Sequence, residues 1–366
     1  MPEPLAPGPG IPDNPPGEPD DNGAPLRLSR EPVALPLREP WTIARGTSAA
    51  RTNVIVRLWE GEGAPAGLGE AAPNQRYGED WRSVIAALDR LEPMVAAGRG
   101  DWSGLLDRLT LLEPEHPSAR AALDILLHDL EARRRGVPLH RLLGADPARM
   151  PDTSYSVGLD AVPVMQEKAK QAEAFPFLKI KLDGRDDRAV VEGIRAVTGR
   201  PLLVDANEAW TDVEQARQTL LWMREQGVIL VEQPLPAADL DGARRLRARS
   251  ALPIYADEAV RVVDDLPALA EAYDGVNVKV QKSGGLRPAL RMIEAARGLG
   301  LEVMIGCMIE TSVGITAAAH LAPLADRADL DGALLLERDP FRGAAIDAGV
   351  ITLPAGPGLG VEERRP

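Results

Sequence analysis

The chain has 366 residues, 45% of them apolar and 27% charged, and a net charge of −13. That length buries a sizeable core without staples, and the acidity argues against nucleic acid or an anionic membrane as a partner. The single cysteine, Cys307, excludes an internal disulfide framework and a Cys-rich zinc site. No apolar run reaches the roughly 18–20 residues that span a bilayer.

Residues 1–25 are rich in Pro, Gly and acids with almost nothing to bury, and read as a disordered tail. They carry neither the basic nor the apolar region of a secretory signal. Strands are expected over 26–38 and 52–60, the latter a β-branched run. Residues 61–78 read as a Gly/Pro-rich connection. Helices follow over 80–97, with Val84, Leu88, Leu91 and Val95 on one face, and over 118–136, with Gly136 as a stop. Strands followed by helices indicate a small α+β domain over 26–148.

After Pro151 the pattern repeats. Short apolar strands end in or near Ser156, Lys181, Asp205, Glu232, Asp257, Lys279, Gly306 and Asp331, spaced 22–27 residues apart. Helical patterns lie between them, for example over 211–226 and 288–299. Eight even βα units indicate a closed parallel barrel over 149–340. No GxGxxG follows the first strand, against a dinucleotide site.

Chemistry in such a barrel sits where the strands end. Only six of the 42 basic residues are lysine, and four of these fall in two clusters, Lys179 with Lys181 and Lys279 with Lys282. Arginine keeps its proton, whereas a lysine amine can titrate when its surroundings lower its pKa. Strict alternation in LKIKL points Lys179 and Lys181 into the barrel mouth. Asp205, Glu232 and Asp257 end three consecutive strands, and Asn207 follows Asp205. Three carboxylates so placed would repel one another, and a hard cation such as Mg²⁺ relieves that repulsion. Lysines on either side of a metal suit removal of a proton from one face of a carbon and its return on the other, through a metal-stabilised enediolate. Lys279 has inward parity, and Lys282 stays formally open as its alternative. None of the four histidines ends a predicted strand; His320, in an apolar helix, reads as structural.

These residues resemble the enolase superfamily, in its muconate-lactonizing-enzyme subgroup, from about Leu26 to the C-terminus. The resemblance rests on KIK at 179–181, DANEAW at 205–210, VEQP at 231–234, ADE at 256–258 and NVKVQKSGG at 277–285. It implies an α/β fold: a modified (β/α)7β TIM-type barrel with an N-terminal α+β capping domain, the C-terminal segment 341–366 packing back on that domain. It also implies one Mg²⁺ per subunit on Asp205, Glu232 and Asp257, the acid/base pair Lys181 and Lys279, and Lys179 as the lysine that steadies a substrate carboxylate.

Within the subgroup the chain is similar to the dipeptide epimerases, those of the L-Ala-D/L-Glu type in particular. ADLDG places Asp329 and Asp331 at the eighth strand, where an Asp-x-Asp pair would hold the substrate ammonium. PWTIARG at 40–46, NQRYGE at 74–79 and GCMIETS at 306–312 also match. From these, Arg45 and Arg76 are candidates to pair with a glutamate side chain, and Tyr77, Ser156 and Asn207 are further candidate substrate contacts. The resemblance thus implies Mg²⁺-dependent epimerisation at the C-terminal residue of a dipeptide, best read as L-Ala-L-Glu, in cell-wall (murein) peptide recycling. A cytoplasmic homo-oligomer is expected, with no nucleic-acid or membrane partner. The alternative on the same site is a lyase or cycloisomerase of the o-succinylbenzoate synthase or muconate cycloisomerase type, to which an ammonium receptor is useless.

Overall fold

The structure is a computed structural model, described over residues 26–97 and 102–364; the tail over 1–25 lies outside the described residues. It opens with a three-stranded antiparallel sheet, β1 (Leu26–Ile43), β2 (Gly46–Glu60) and β3 (Gly67–Ala71), in the order β1-β2-β3. The first two form one long hairpin turned at Gly46, which sits at φ 141, and a bulge falls between Pro36 and Trp41. Both strands run further than their β-branched cores suggest, because each lends the other its ladder hydrogen bonds.

The connection expected over 61–78 contains β3, a correction with a packing cause. Glycines in GLGEA read as loop, but here they let a helix approach the sheet. Helices α1 (Trp81–Ala97), α2 (Trp102–Leu112) and α3 (Pro117–Arg134) cover this sheet, and α2 had no counterpart in the sequence reading. A Cβ on Gly69 would lie 2.0 Å from Ala122 O, and one on Gly67 would lie 2.7 Å from Leu126 O. Ala122, Leu123 and Leu126 of α3 are fully buried against Val54, Val56 and Leu58 of β2.

Eight parallel strands follow: β4 (Tyr155–Val157), β5 (Leu178–Lys181), β6 (Leu202–Asp205), β7 (Val228–Glu232), β8 (Ile254–Ala256), β9 (Gly275–Lys279), β10 (Glu302–Gly306) and β11 (Arg327–Asp329). They pair in sequence order, and a parallel bridge between Thr153 and Ala328 joins the last to the first. This is a modified (β/α)7β barrel under a capping domain. The eighth strand ends at Asp329 rather than Asp331, which opens a 3-10 turn over Asp331–Leu335 in place of an eighth full helix.

Alternation then sorts the side chains. Outward residues such as Ile180, Val204, Val231 and Val278 pack under the helices. Inward, Leu203, Leu230, Tyr255 and Met304 plug the barrel as an apolar layer. One inward step further on lie Asp205, Glu232, Asp257 and Gly306. The strands therefore change from apolar plug to charged mouth within two residues.

The C-terminal segment returns to α3: Leu359 N donates to Asp129 Oδ1 at 2.7 Å, and Arg57 of β2 pairs with Glu363 at 2.9 Å. No helix among the described residues is long and apolar enough to cross a membrane.

Candidate active site

Strand register builds the centre. Lys181 pairs with Asp205 across β5–β6, and Asp205 with Glu232 across β6–β7. Carboxylate oxygens of Asp205, Glu232 and Asp257 all lie within 4.8 Å of one another, and the three acids are buried. Lys181 Nζ donates to Asp205 Oδ2 at 2.5 Å, and Lys279 Nζ to Asp257 Oδ2 at 2.8 Å. Lys179 Nζ lies 2.7 Å from Glu232 Oε2 and 2.6 Å from Asp329 Oδ2. The acids thus form the middle of the mouth, with Lys181 at one edge and Lys279 at the other.

Lys282 is set apart from Lys279. It lies in the helical turn Val280–Ser283, buried, and donates to Asp257 Oδ1 and Asp257 O at 2.5 Å and to Asn277 O at 3.1 Å. Lys279 lines the cleft. Lys282 instead braces Asp257 from behind. Burial, the largest effect, holds the Lys282 amine below its ordinary pKa.

The electrostatics are those of bare acids against amines. Burial lowers the Lys279 amine, but the charges of Asp257 and Glu232 outweigh it and the net shift is upward. Burial raises Asp205 but Lys181 and Lys179 bring it down to about 2. Glu232 is pushed up to about 7, by burial first and by its two acidic neighbours against Lys179. Its Oε2 and Asn207 Oδ1 are buried without an aligned hydrogen bond. Such a cluster fits a hard divalent cation: converging carboxylates, one of them raised well above its ordinary range, with the unpaired Asn207 Oδ1 beside them.

Three further residues brace the acids; the strand alternation already turns Asn277 inward with Lys279, whereas Gln233 and Glu258 escaped the sequence reading. Asn277 donates to Glu232 Oε1 at 2.9 Å. It reaches there because Gly306 is next to it: a Cβ at that position would lie 2.3 Å from Asn277 Oδ1. Gln233 Oε1 accepts from the amides of Asp257 and Ala259 at 2.9 and 3.1 Å, fixing the turn after β8. Glu258 accepts from Arg45 Nη1 at 2.6 Å and Asn207 Nδ2 at 3.2 Å. Asn207, Glu208 and Gln233 adopt positive φ values of 43°, 71° and 36°. For Glu and Gln this left-handed backbone is strained, and its clustering at strand ends that carry chemistry is the expected place for strain.

The mouth opens into a cleft between barrel and capping domain. Lys179, Lys181, Lys279, Asp257, Asn207, Ser156, Asp329, Asp331, Arg45 and Tyr77 all line it. Asp329 accepts from Ser154 Oγ at 2.7 Å, and Asp331 Oδ2 from Ser156 N at 2.6 Å. Burial, then the Asp329 charge, push Asp331 up to about 7, the mark of a carboxylate short of positive charge. Tyr77 comes from the capping domain, on the 3-10 turn Gln75–Tyr77, and its hydroxyl is raised by burial. Arg76 does not line the cleft. Its fork is spent on Glu208 at 3.0 and 3.1 Å, at an exposed edge. His320 lies far from the cleft in function: fully buried, it accepts from His140 N at 3.1 Å and stacks on the His140 ring.

The turn at Ser283–Gly285 offers no phosphate cradle. The amides of Leu286 and Arg287 behind it donate to Asp124 Oδ1 of α3 at 2.6 and 3.3 Å, so a carboxylate already occupies that helix start.

A parallel barrel with buried acids between lysines at its C-terminal mouth, under a capping domain, is the architecture of an enzyme that moves protons on a small acid. Residues 164–365 match the enolase C-terminal domain-like family, and residues 27–144 match the mandelate racemase / muconate lactonizing enzyme N-terminal domain. The L-Ala-D/L-Glu epimerase of Bacteroides thetaiotaomicron is 36% identical over 340 residues, 93% of this chain and 88% of that protein. A substrate-liganded complex of the L-Ala-D/L-Glu epimerase from Bacillus subtilis superposes with TM-score 0.87 at 31% identity, covering 92% of this chain and 98% of that one. The dipeptide epimerase from Enterococcus faecalis V583, complexed with Mg and L-Leu-L-Tyr, gives 0.84 at 31%, covering 93% and 99%. The chain belongs to the mandelate racemase/muconate lactonizing enzyme family of the enolase superfamily, and it is an isomerase.

Proposed function

We propose that this enzyme epimerises the α-carbon of the C-terminal residue of a dipeptide, with L-Ala-L-Glu and L-Ala-D-Glu as the leading pair. The observation that carries the reading is the placement of Lys181 and Lys279 at opposite edges of one acid cluster, with Asp329 and Asp331 at the neighbouring strand ends. Asp205, Glu232 and Asp257 would hold Mg²⁺, and Glu232, the least neutralised of the three, has most to gain. When bound, Mg²⁺ supplies positive charge that stabilises an α-carbanion beside a carboxylate and offsets the acids that raise the Lys279 amine.

The chain's own residues do the rest. Lys179, pinned between Glu232 and Asp329, orients the substrate carboxylate. One of Lys181 and Lys279 takes the α-proton, and the other delivers a proton to the opposite face, so that the configuration inverts. Roles exchange for the reverse reaction. Asp331, buried and lacking a cation, with Asp329 beside it, receives the terminal ammonium. Ser156 and Asn207 position these groups, and Tyr77 of the capping domain helps keep water out. A lyase or cycloisomerase acting on an all-anionic substrate leaves Asp331 without a counter-charge. The cytoplasmic, homo-oligomeric setting and the recycling of cell-wall peptides belong to this same reading.

Proton NMR in D₂O with Mg²⁺ tests it. Loss of the C-terminal α-proton signal together with appearance of the other epimer is expected. A panel of dipeptides showing no exchange at all, with Mg²⁺ bound, overturns it.

A further inference from the structure

The capping wall of the cleft carries a guanidinium with no counter-ion. Arg51 and Asn53 are two residues apart on β2, so their side chains leave the same face, and both line the cleft. Asn53 anchors that face: its Nδ2 donates to Ile309 O at 3.0 Å and to Glu70 Oε1 at 2.7 Å. Arg51 is half-buried. Among the described residues its side chain makes no hydrogen bond and no ion pair. Burial alone shifts its pKa, downward, with no acid acting against it.

This is unusual for an arginine in so acidic a chain. Partial burial of an unpaired guanidinium costs free energy that a surface rotamer would avoid. The contrast with Arg45 is direct. Arg45 also lines the cleft, but its Nη1 is held at 2.6 Å by Glu258, whose side chain is 1% exposed. An anion approaching Arg45 must compete with a buried, fixed carboxylate; one approaching Arg51 meets an open fork.

In the reading above, the α-carboxylate of the substrate goes to the acid-and-lysine centre and its ammonium to Asp329 and Asp331. What remains for Arg51 is a carboxylate on a side chain. We propose that Arg51 is a specificity-determining residue that receives a side-chain carboxylate of the dipeptide. The inference rests on the dipeptide reading and goes beyond it. The acidic residue can be the first or the second, and both are covered by one pairing chemistry: a planar fork matched to a carboxylate.

The test compares acids with their amide isosteres. L-Ala-L-Glu is set against L-Ala-L-Gln, and L-Glu-L-Ala against L-Gln-L-Ala, in the full-length Mg²⁺-loaded enzyme and in Arg51→Met and Arg51→Lys. In the wild type, kcat/KM for one acid exceeds that for its amide. Arg51→Met is expected to shrink this ratio about 10- to 100-fold, the worth of a charge-assisted hydrogen bond, and Arg51→Lys is expected to restore part of it. The pair whose ratio collapses says which residue Arg51 holds. A wild type without preference for either acid, or a ratio that Arg51→Met leaves unmoved, overturns the proposal. Calorimetric titration of the same four dipeptides reads the ratio in Kd and needs no turnover. If nothing is epimerised, the dipeptide reading fails, while the acid preference of the cleft still stands or falls with Arg51.

Discussion

Lys181 and Asp205 are register partners on adjacent strands, and their side chains meet at 2.5 Å. The contact ties an acid of the central cluster to a lysine at its edge. At the other edge, Asp257 is gripped on separate oxygens by Lys279, which faces the cleft, and Lys282, which does not.

From the two-edge arrangement follows an asymmetry in partial reactions. Lys181→Ala and Lys279→Ala should each slow net epimerisation by about 10²- to 10⁴-fold, the usual contribution of a positioned acid or base. Each variant should still exchange the α-proton of one epimer with D₂O, and the two should favour opposite epimers. Exchange of the same epimer by both variants would contradict the assigned faces.

Mg²⁺ should stabilise the fold as well as serve the reaction. The ion would bind between Asp205, Glu232 and Asp257, a site the unfolded chain lacks. At a concentration about 100 times Kd it should add roughly 2.7 kcal/mol to unfolding. Chelation should abolish turnover, and Mg²⁺ should restore it. Glu232→Gln should weaken Mg²⁺ by about 100-fold or more in calorimetry. Unchanged affinity would mean the ion, if it binds, sits elsewhere.

Gly69 is irreplaceable for a steric reason, since a Cβ there would meet Ala122 O at 2.0 Å. Its φ is not in the left-handed region, so backbone strain plays no part. Gly69→Ala should force β3 and α3 apart and cost about 2–4 kcal/mol, in the range of severe core overpacking. Denaturant unfolding measures it. Gly199→Ala, with nothing within 4 Å of the added Cβ, is the control and should be nearly neutral.

The His320 imidazole should make folding sensitive to acid. Burial, the largest effect, takes its pKa down to about 4, against about 6.5 in an unfolded chain. The folded state therefore prefers the neutral ring. This stability is fully present above pH ~6.5 and is lost as pH falls toward 4, amounting to about 3 kcal/mol. His320→Asn keeps an acceptor for His140 N but cannot take up a proton. The wild-type-minus-variant stability should fall by that amount across the window. Taking the difference removes contributions from Glu79, Glu310 and Asp331, all near 7, whose sign is opposite. A flat difference would show that His320 titrates normally.

Much of the barrel was legible because its signal is local. A strand of four residues needs only alternation, and alternation alone tells that Lys179, Lys181, Asp205 and Glu232 face the axis. The even 22–27-residue spacing carried the closure, since a βα unit has a nearly constant length. The capping domain was less legible. β3 was hidden because its glycines answer to the approach of α3, through contacts such as Gly69 with Ala122 that are distant in sequence. The eighth strand was misjudged by two residues because nothing local separates Asp329, still in the ladder, from Asp331, which turns away.

The amino-acid sequence by itself determined the chemistry available at the mouth: three acids and two lysine clusters, delivered by strand parity to one end of a barrel. Only the tertiary structure decided how those groups are shared. It assigned Lys282 to brace Asp257 and Lys279 to face the cleft, engaged Arg45 with Glu258 and Arg76 with Glu208, and left Arg51 open. These outcomes depend on which side chains from distant strands come within about 3 Å, and on burial. Pairing over such distances is set by packing of the capping domain on the barrel, and no periodicity along the chain encodes it.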